Sequence, residues 1–181
     1  MRIRCLIHES VQAALSKAGT RPVRVLFSAH GIPQSLVARG DPYQQQVEAT
    51  VEAVAAAAGL TDWTLCYQSR VGPLKWLGPS TPEAIAQAGR DRVGVVVVPV
   101  AFVSEHIETL VELDIEYAEL AHRAGVAPYL RTPAVGVAPP FIQTLADATV
   151  EALARSGTAP HGPGCQGDWK ACPCQAERRA A

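Results

Sequence analysis

The stretch VGVVVVPVAF at residues 93–102 is the most apolar run of the chain. A valine-rich run of this length predicts a β-strand buried on both faces, which is typical of strands in parallel sheets. Upstream, the sequence Thr81-Pro82-Glu83 predicts a helix start, with a hydroxyl N-cap, a proline in the first turn and an acid near the positive end of the helix dipole. Downstream, a second helix is predicted over residues 106–124. The central strand therefore lies between two helices.

Strand and helix alternate along the rest of the chain as well. Further strands are predicted at residues 23–30, 63–68 and 129–135, and further helices at residues 4–18, 43–58 and 140–156. The glycines that directly follow the proposed helices are Gly19, Gly59, Gly89, Gly125 and Gly157. Glycine readily adopts the left-handed conformation of a helix C-cap. The sequence therefore predicts an α/β fold in three layers, a parallel sheet with helices on both faces.

The chain divides into a regular body and a different tail. We expect one α/β domain over residues 1–157, and a C-terminal extension over residues 158–181 that is rich in glycine, proline, cysteine and charge. A length of 181 residues suits one ordinary domain, or half of a larger protein.

Composition and missing motifs argue against several classes of function. The 16 basic and 17 acidic residues give a net charge of −1, whereas nucleic-acid binders normally carry a basic excess. The chain contains no run of about 18 apolar residues, so the sequence predicts no membrane-spanning helix. The start, MRIRCLIHES, lacks an apolar signal core, so we expect a cytoplasmic protein. There is no dinucleotide-binding glycine motif and no P-loop, and neither Ser28 nor Ser69 lies in a Gly-x-Ser-x-Gly elbow.

Two strand ends are the places where a parallel sheet binds ligands. His30 ends the first strand, and residues 101–106 follow the central one. His30 is either a turn histidine satisfied by the backbone or an imidazole that takes a proton near neutral pH. His106 and Glu108 lie in the first turn of the next helix, where they could pass protons or hold a divalent metal.

Four acidic residues follow the same helix. The spacing of Glu105, Glu108, Glu112 and Glu119 predicts a shared helix face. For Glu112 and Glu119 we favour a solvated acidic surface over a role in chemistry.

Three of the five cysteines cluster in the extension. Cys165, Cys172 and Cys174 have the spacing C-x6-C-x-C, which favours metal ligation over a disulfide framework in a chain without an export signal. A four-ligand site needs one more residue, for which the candidates are Cys5, Cys66 and His161. Incidental surface cysteines are the alternative.

Three segments resemble a known family. The runs LFSAHGIPQSLVARGDPY (26–43), YQSRVGPLKWLGPST (67–81) and PVAFVSEHIETLVELDIEY (99–117) strongly resemble ferrochelatase, which inserts Fe2+ into a porphyrin to form haem. Ferrochelatases contain two similar chelatase-like, Rossmann-like α/β halves with the porphyrin cleft between them. This chain resembles the C-terminal half only.

The resemblance implies roles for individual residues. His30 would be the active-site histidine, acting in pyrrole deprotonation or in metal delivery, and Glu108 the partner carboxylate; together they would also contact the Fe2+ substrate. The residues implied for a proton or metal path are Glu105, His106 and Glu112. The residues implied for the porphyrin pocket are Trp76, Phe102, Ser69 and Arg70.

The resemblance also gives the cysteines a role. Some ferrochelatases hold a [2Fe–2S] cluster with three cysteines of a C-terminal extension and one from the helix that leads into the second half. The corresponding residues here are Cys5, Cys165, Cys172 and Cys174, although the extension departs from the C-x2-C-x4-C spacing of animal members. Cys66 would then be a buried strand thiol.

The implied function is insertion of Fe2+ into protoporphyrin IX or coproporphyrin. The expected partners are the porphyrin and either the absent N-terminal half or a second copy of the chain, with no nucleic acid. The expected location is the cytoplasm, with peripheral contact to the inner membrane as a further option. Two alternatives are a short tetrapyrrole chelatase that acts as a dimer, and a non-catalytic iron–sulfur or metal-binding fragment.

Overall fold

A computed structural model describes residues 2–154, with side chains from residue 6 onward. The strands are β1 (Val23–His30), β2 (Trp63–Gln68), β3 (Gly94–Pro99) and β4 (Tyr129–Arg131). All neighbouring pairs are parallel, and the order in the sheet is β2-β1-β3-β4. The bounds predicted for β1 and β2 are confirmed at both ends.

Helices connect these strands. They are α1 (Arg2–Ala18), α2 (Gln34–Ala38), α3 (Tyr43–Ala58), α4 (Thr81–Arg90), α5 (Ile107–Leu110), α6 (Tyr117–Arg123) and α7 (Pro139–Leu153). A π-helical turn, Val111–Glu116, joins α5 to α6, where the sequence predicted one uninterrupted α-helix. The predicted extension over residues 158–181 lies outside the described residues.

The sheet is covered on both faces, which confirms the three-layer α/β fold. Helices α1 and α3 cover one face, where Val11 and Val51 pack against Phe27 of β1. The opposite face packs against α4, the π-turn and α6, where Ile85 and Leu113 are completely buried. Helix α7 lies on the outer side of α1. Burying both faces explains why β3, whose six residues are all buried, is an uninterrupted apolar run.

Two strands are shorter than predicted, for local reasons. β3 ends at Pro99 rather than at residue 102, because Ala101 adopts the left-handed conformation (φ 63°) and turns the chain out of the sheet. β4 ends at Arg131 rather than at residue 135, shortly before Pro133, which has no N–H to donate to a ladder. Just after these ends, the Val100 N–H donates to the Ser28 carbonyl and the Thr132 N–H to the Val97 carbonyl, both at 2.9 Å.

The ends of α4 differ from expectation. Its N-cap is Ser80 rather than Thr81: the Ser80 Oγ accepts from the Glu83 N–H at 3.2 Å, and the Glu83 carboxylate accepts from the Ser80 N–H at 2.7 Å. These contacts lower the pKa of Glu83, the backbone hydrogen bond most of all. Gly89 does not follow the helix but lies inside it, and Arg92 takes the left-handed conformation instead (φ 57°).

Gly89 serves the close approach of two helices. A Cβ atom at this position would lie 2.4 Å from the carbonyl oxygen of Ala124, just after α6. The predicted left-handed glycines are found at Gly19, Gly59 and Gly125, while Gly157 lies outside the described residues.

We expect Gly89→Ala to destabilise the domain by about 1–3 kcal/mol, because the methyl group forces α4 away from the Ala124 carbonyl. In an open helical site the same substitution stabilises by about 0.5–1 kcal/mol. The measurement is urea unfolding, with Ala86→Gly in the same helix reporting the intrinsic glycine penalty. A higher urea midpoint for Gly89→Ala would contradict the packing role.

Candidate active site

The strand order creates a crevice at the carboxyl edge of the sheet. From β1 the chain continues to β2 on one side, and then crosses back to β3 on the other. The connections after β1 and β3 therefore diverge, and ligands of open parallel sheets bind at such a point. His30 ends β1 and Pro99 ends β3, so the predicted site residues lie at this crevice.

The side chain of His30 is held in one tautomer. Its Nδ1 lies 2.8 Å from the Gly31 carbonyl oxygen, which can only accept, so Nδ1 carries a proton and donates. In the neutral ring, Nε2 is then the basic nitrogen. The ring centroid lies 6.4 Å from that of Phe102. The Tyr43 hydroxyl donates to the His30 carbonyl at 2.9 Å and fixes the backbone. His30 therefore combines the two alternatives given by the sequence: its Nδ1 is satisfied by the backbone, and its Nε2 remains as the basic nitrogen.

Glu112 points into the protein rather than into solvent, so the interpretation as a solvated surface is wrong for this residue. Its carboxylate accepts from the Ser69 hydroxyl at 2.6 Å, the Gln68 side-chain amide at 3.0 Å and the Ser69 N–H at 3.1 Å. Ser69 has a left-handed backbone (φ 59°) that aims its N–H at the carboxylate. The interpretation is correct for Glu119, which is exposed and only 3.8 Å from Arg123 on the next turn.

The π-helical turn explains why the acidic residues do not share one face. A π-turn closes i→i+5 bonds, so it rotates the residues after it relative to an α-helix. Glu105 precedes the helix altogether, and Glu112 lies in the π-turn. The predicted common face of Glu105, Glu108, Glu112 and Glu119 is therefore wrong.

Glu105 forms an ion pair that the sequence did not suggest. The Arg131 guanidinium donates to Glu105 at 3.0 Å and to Asp114 at 2.8 Å, and the Ala134 N–H donates to Glu105 at 2.9 Å. The hydrogen bond to Asp114 is the main cause of a raised pKa of Arg131. Arg131 thus ties the end of β4 both to the loop after β3 and to the π-turn. A role for Glu105 in a proton or metal path stays a prediction.

His106 and Glu108 lie where they were expected, at the start of the helical segment. The Glu108 N–H donates to Nδ1 of His106 at 3.3 Å, so His106 is the N-cap of α5. The Glu108 side chain is exposed. Among residues 6–154, no three His, Cys, Asp or Glu side chains converge to form a group that could hold a metal ion.

Four of the predicted site residues line one cavity of about 520 Å3 at the ends of β2 and the π-turn: Ser69, Arg70, Trp76 and Glu112. Trp76 contributes a buried Nε1–H with no hydrogen-bond partner. Arg70 forms a 3.4 Å ion pair with Glu83 at the rim. Phe102 is not among the lining residues and packs against His30 instead.

Gly31 connects the His30 side of the crevice to this cavity. A Cβ at Gly31 would lie 3.0 Å from Cγ of Arg70 and 3.5 Å from the Trp76 ring. Leu74 lines the cavity and is 58% exposed. In the segments after β2 and β3, Val71, Val103 and Ile107 are also exposed, at 73%, 61% and 75%. The crevice therefore combines a histidine whose Nε2 is the acceptor nitrogen of the neutral ring, a carboxylate held by three hydrogen bonds and exposed apolar side chains, a mixture typical of small-molecule sites.

The cysteines are described only in part. Cys66 is a free, buried thiol, and burial raises its pKa to about 12, as expected of an unreactive strand cysteine. Cys5 lies in α1. Cys165, Cys172 and Cys174 lie outside the described residues.

Fold and site together define a chelatase-like α/β domain, with its histidine and carboxylates at the switch point of the sheet. Comparison with known proteins gives the family: a family model described as Ferrochelatase matches residues 4–153. The chain belongs to the ferrochelatase family.

Individual relatives are similar over most of this chain. A ferrochelatase of Caulobacter vibrioides (strain NA1000 / CB15N) is 54% identical over 170 residues, which cover 91% of this chain and 49% of the relative. One from Phenylobacterium zucineum is 55% identical, with the same coverage of 91% and 49%. Ferrochelatase-1, chloroplastic/mitochondrial, of Arabidopsis thaliana is 50% identical over 74% of this chain and 30% of its own length. The chain thus spans about half the length of these two bacterial relatives.

Within residues 2–154, no helix has both the length and the apolar character needed to cross a membrane.

We expect Arg131→Lys to lower the free energy of unfolding by about 1–2 kcal/mol, because lysine cannot bind Asp114 with two nitrogens and reach Glu105 as well. Amide hydrogen exchange should also increase in residues 101–116. The matched control is Arg123→Lys in the exposed Glu119 pair, where we expect no more than about 0.5 kcal/mol. Equal effects of the two substitutions would argue against Arg131 as a link between β4 and the π-turn.

Proposed function

We propose that this chain supplies the catalytic half of a ferrochelatase that inserts Fe2+ into protoporphyrin IX or coproporphyrin to form haem. The observation that carries the proposal is His30, held by the Gly31 carbonyl so that Nε2 is its basic nitrogen, next to the cavity that contains Glu112. Family membership gives the reaction class, and the arrangement of this crevice supports the assignment of roles.

The reaction places two demands on the protein. Inserting Fe2+ forms four metal–nitrogen bonds and releases two pyrrole protons, so the site needs a base and a route for protons. We assign His30 as the base and Glu108 as its exposed partner carboxylate, both of them also contacting the Fe2+ substrate. Glu112 and His106 continue the route, with Glu105 beside them on Arg131.

The macrocycle requires an apolar surface. We assign Trp76 and Phe102 as walls of the porphyrin pocket, with Ser69 and Arg70 on the same side of the crevice. The exposed side chains of Val71 and Leu74 extend this surface beyond the cavity. Flat apolar ligands bind in clefts lined by such side chains, with few polar groups to orient them.

The second wall of the cleft has to come from another polypeptide segment. The chain aligns with about half of the Caulobacter vibrioides ferrochelatase, so we propose that a first-half segment packs over the crevice. The alternative is a second copy of this chain, as in a short chelatase that acts as a dimer. For location we propose the cytoplasm, with peripheral contact to the inner membrane as a further option.

The assay for this proposal is Zn2+ insertion into protoporphyrin, followed by metalloporphyrin fluorescence, with the full chain alone and with a first-half polypeptide. We expect activity only in the mixture, and a loss of at least about 100-fold in His30→Ala and in Glu108→Ala. The controls are His122→Ala and Glu119→Ala on the exposed side of α6, which should stay within about twofold of the unsubstituted chain.

The outcomes separate the alternatives. Activity of the chain alone would favour the dimer over the first-half partner. Full activity of His30→Ala in the mixture would refute the assignment of the base. No activity under either condition would favour the non-catalytic fragment.

We further propose a [2Fe–2S] cluster on Cys5, Cys165, Cys172 and Cys174. The donor set fits, because four thiolates are the usual ligands of such a cluster. When bound, the cluster would link the C-terminal extension to α1, and no step of metal insertion is assigned to it.

We expect the anaerobically purified chain to contain iron and acid-labile sulfide with visible absorbance. Cys174→Ser and Cys5→Ser should lose them, because three thiolates do not complete the ligand set. Cys66→Ala is the control and should retain the cluster, since this thiol is buried in β2. Absence of iron and sulfide from the unsubstituted chain would overturn the proposal.

A further inference from the structure

A buried row of polar side chains lies behind Glu112, and none of the roles assigned above uses it. The Ser28 Oγ lies 2.9 Å from Oε1 of Gln68 and 2.9 Å from Oγ1 of Thr81. The Gln68 Nε2 in turn lies 3.0 Å from the Glu112 carboxylate. Ser28 and Thr81 are completely buried and Gln68 is 1% exposed, so solvent does not satisfy these groups. The three residues form a continuous path from the interior to the cavity.

The direction of each hydrogen bond in this row follows from which atoms carry a donor hydrogen and which can only accept. The carboxylate of Glu112 can only accept from Gln68, so the Nε2 side of that amide faces Glu112 and the Oε1 side faces Ser28. Because Oε1 can only accept, the Ser28 hydroxyl donates its single hydrogen to Gln68. The contact between Ser28 and Thr81 then requires Thr81 to donate.

The nearby thiol is compatible with this assignment. Thr81 Oγ1 also lies 3.4 Å from the Cys66 sulfur, a weak acceptor at longer range than Ser28. Cys66 has its own acceptor in the Phe27 carbonyl at 3.5 Å. The consistent direction is therefore Thr81 to Ser28 to Gln68, with Gln68 donating to Glu112.

The members of the row lie in regular strands and at the start of a helix, whereas Glu112 lies in the π-turn. Ser28 lies in β1, Gln68 ends β2, and Thr81 opens α4 next to its capping box. Glu112 lies on the π-turn, whose backbone departs from regular α-helix. The row thus connects the centre of the sheet to Glu112, a carboxylate that lines the cavity and accepts three hydrogen bonds.

We propose that Ser28 and Thr81 are positioning residues for Glu112. Through the Gln68 amide they fix where the carboxylate points, so that it stays directed at Ser69 and the cavity. This proposal rests on the proposed function, in which Glu112 belongs to the route for protons or metal. Without the Ser28 hydroxyl, Oε1 of Gln68 is a buried acceptor with no donor. The hydrogen bond that orients the amide, with Nε2 towards Glu112, is then lost.

Amide NMR of the full chain tests the positions directly. The reporters are the Ser69 backbone N–H and the Gln68 side-chain NH2, both of which donate to Glu112. Glu112→Gln gives the reference shifts for a weakened contact. We expect Ser28→Ala to move both reporters towards that reference, and Thr81→Val to move them in the same direction by a smaller amount.

Matched variants distinguish positioning from a general effect of buried substitutions. Thr81→Ser keeps the hydroxyl and should restore both signals, whereas Thr81→Val keeps the shape and removes the donor. Thr132→Val is the control, because Thr132 is also buried, 2% exposed, but lies at the end of β4. If Ser28→Ala and Thr81→Val leave both reporters within the range of Thr132→Val, the proposal is wrong. Should Ser28→Ala not fold, the Thr81→Val and Thr81→Ser pair decides by the same criterion.

Kinetics of the mixture with a first-half polypeptide give the functional readout. We expect Ser28→Ala to lower kcat for Zn2+ insertion about 10-fold, with the KM for porphyrin little changed, since the pocket walls are untouched. An unchanged kcat would overturn the role in catalysis. If the unsubstituted mixture has no activity, the proposed function fails while the NMR comparison still decides the positioning.

Discussion

The parallel pairing of β1 with β3 is the constraint on which the position of the crevice depends. Its register runs from Val23 opposite Gly94 to Ser28 opposite Pro99. Gly94 is required there, because a Cβ would lie 2.6 Å from the Pro128 ring. With this register, β1 runs two residues past the Ser28–Pro99 pair to His30, whereas β3 ends at Pro99, so His30 lies level with the loop after β3 at one crevice. The helices on the two faces secure the pairing, but the site is defined by where these two strands stop.

Strained backbone conformations complete the site at the ends of β2 and β3. Ser69 after β2 and Ala101 after β3 both have left-handed backbones, which cost of order 1–3 kcal/mol each for residues other than glycine. In both cases the strain turns the chain out of the sheet at the carboxyl edge. At Ser69 it is offset by the hydrogen bonds to Glu112, so the cavity and the strained turn stabilise each other. At Ala101 it places Phe102 against His30.

Local signals in the sequence predicted most of the fold. The bounds of β1, α3 and β2 follow from apolar period, turns and C-terminal glycines, all of which act within a few residues. The sequence did not predict the π-turn, because α-helical and π-helical turns have the same composition. Here the type of turn depends on partners that are distant in sequence. Arg131 holds Asp114 from β4, and Ser69 holds Glu112 from β2. For the same reason the motifs gave no sign of Arg131. The helical spacing favoured a solvated surface for Glu112, although the resemblance implied a place for it on the proton or metal path.

The two carboxylates at the crevice are prepared for different tasks in the proposed reaction. Glu108 is exposed in the first turn of α5, where a metal ion or a proton can arrive and leave without breaking an internal network. Glu112 accepts three hydrogen bonds within the protein, two of them from Ser69. A carboxylate held like Glu112 needs little reorganisation when a charge arrives beside it. An exposed carboxylate like Glu108 exchanges protons or metal ions quickly with solvent. A metal-insertion site needs both properties, because it must capture an ion and export two protons in each cycle.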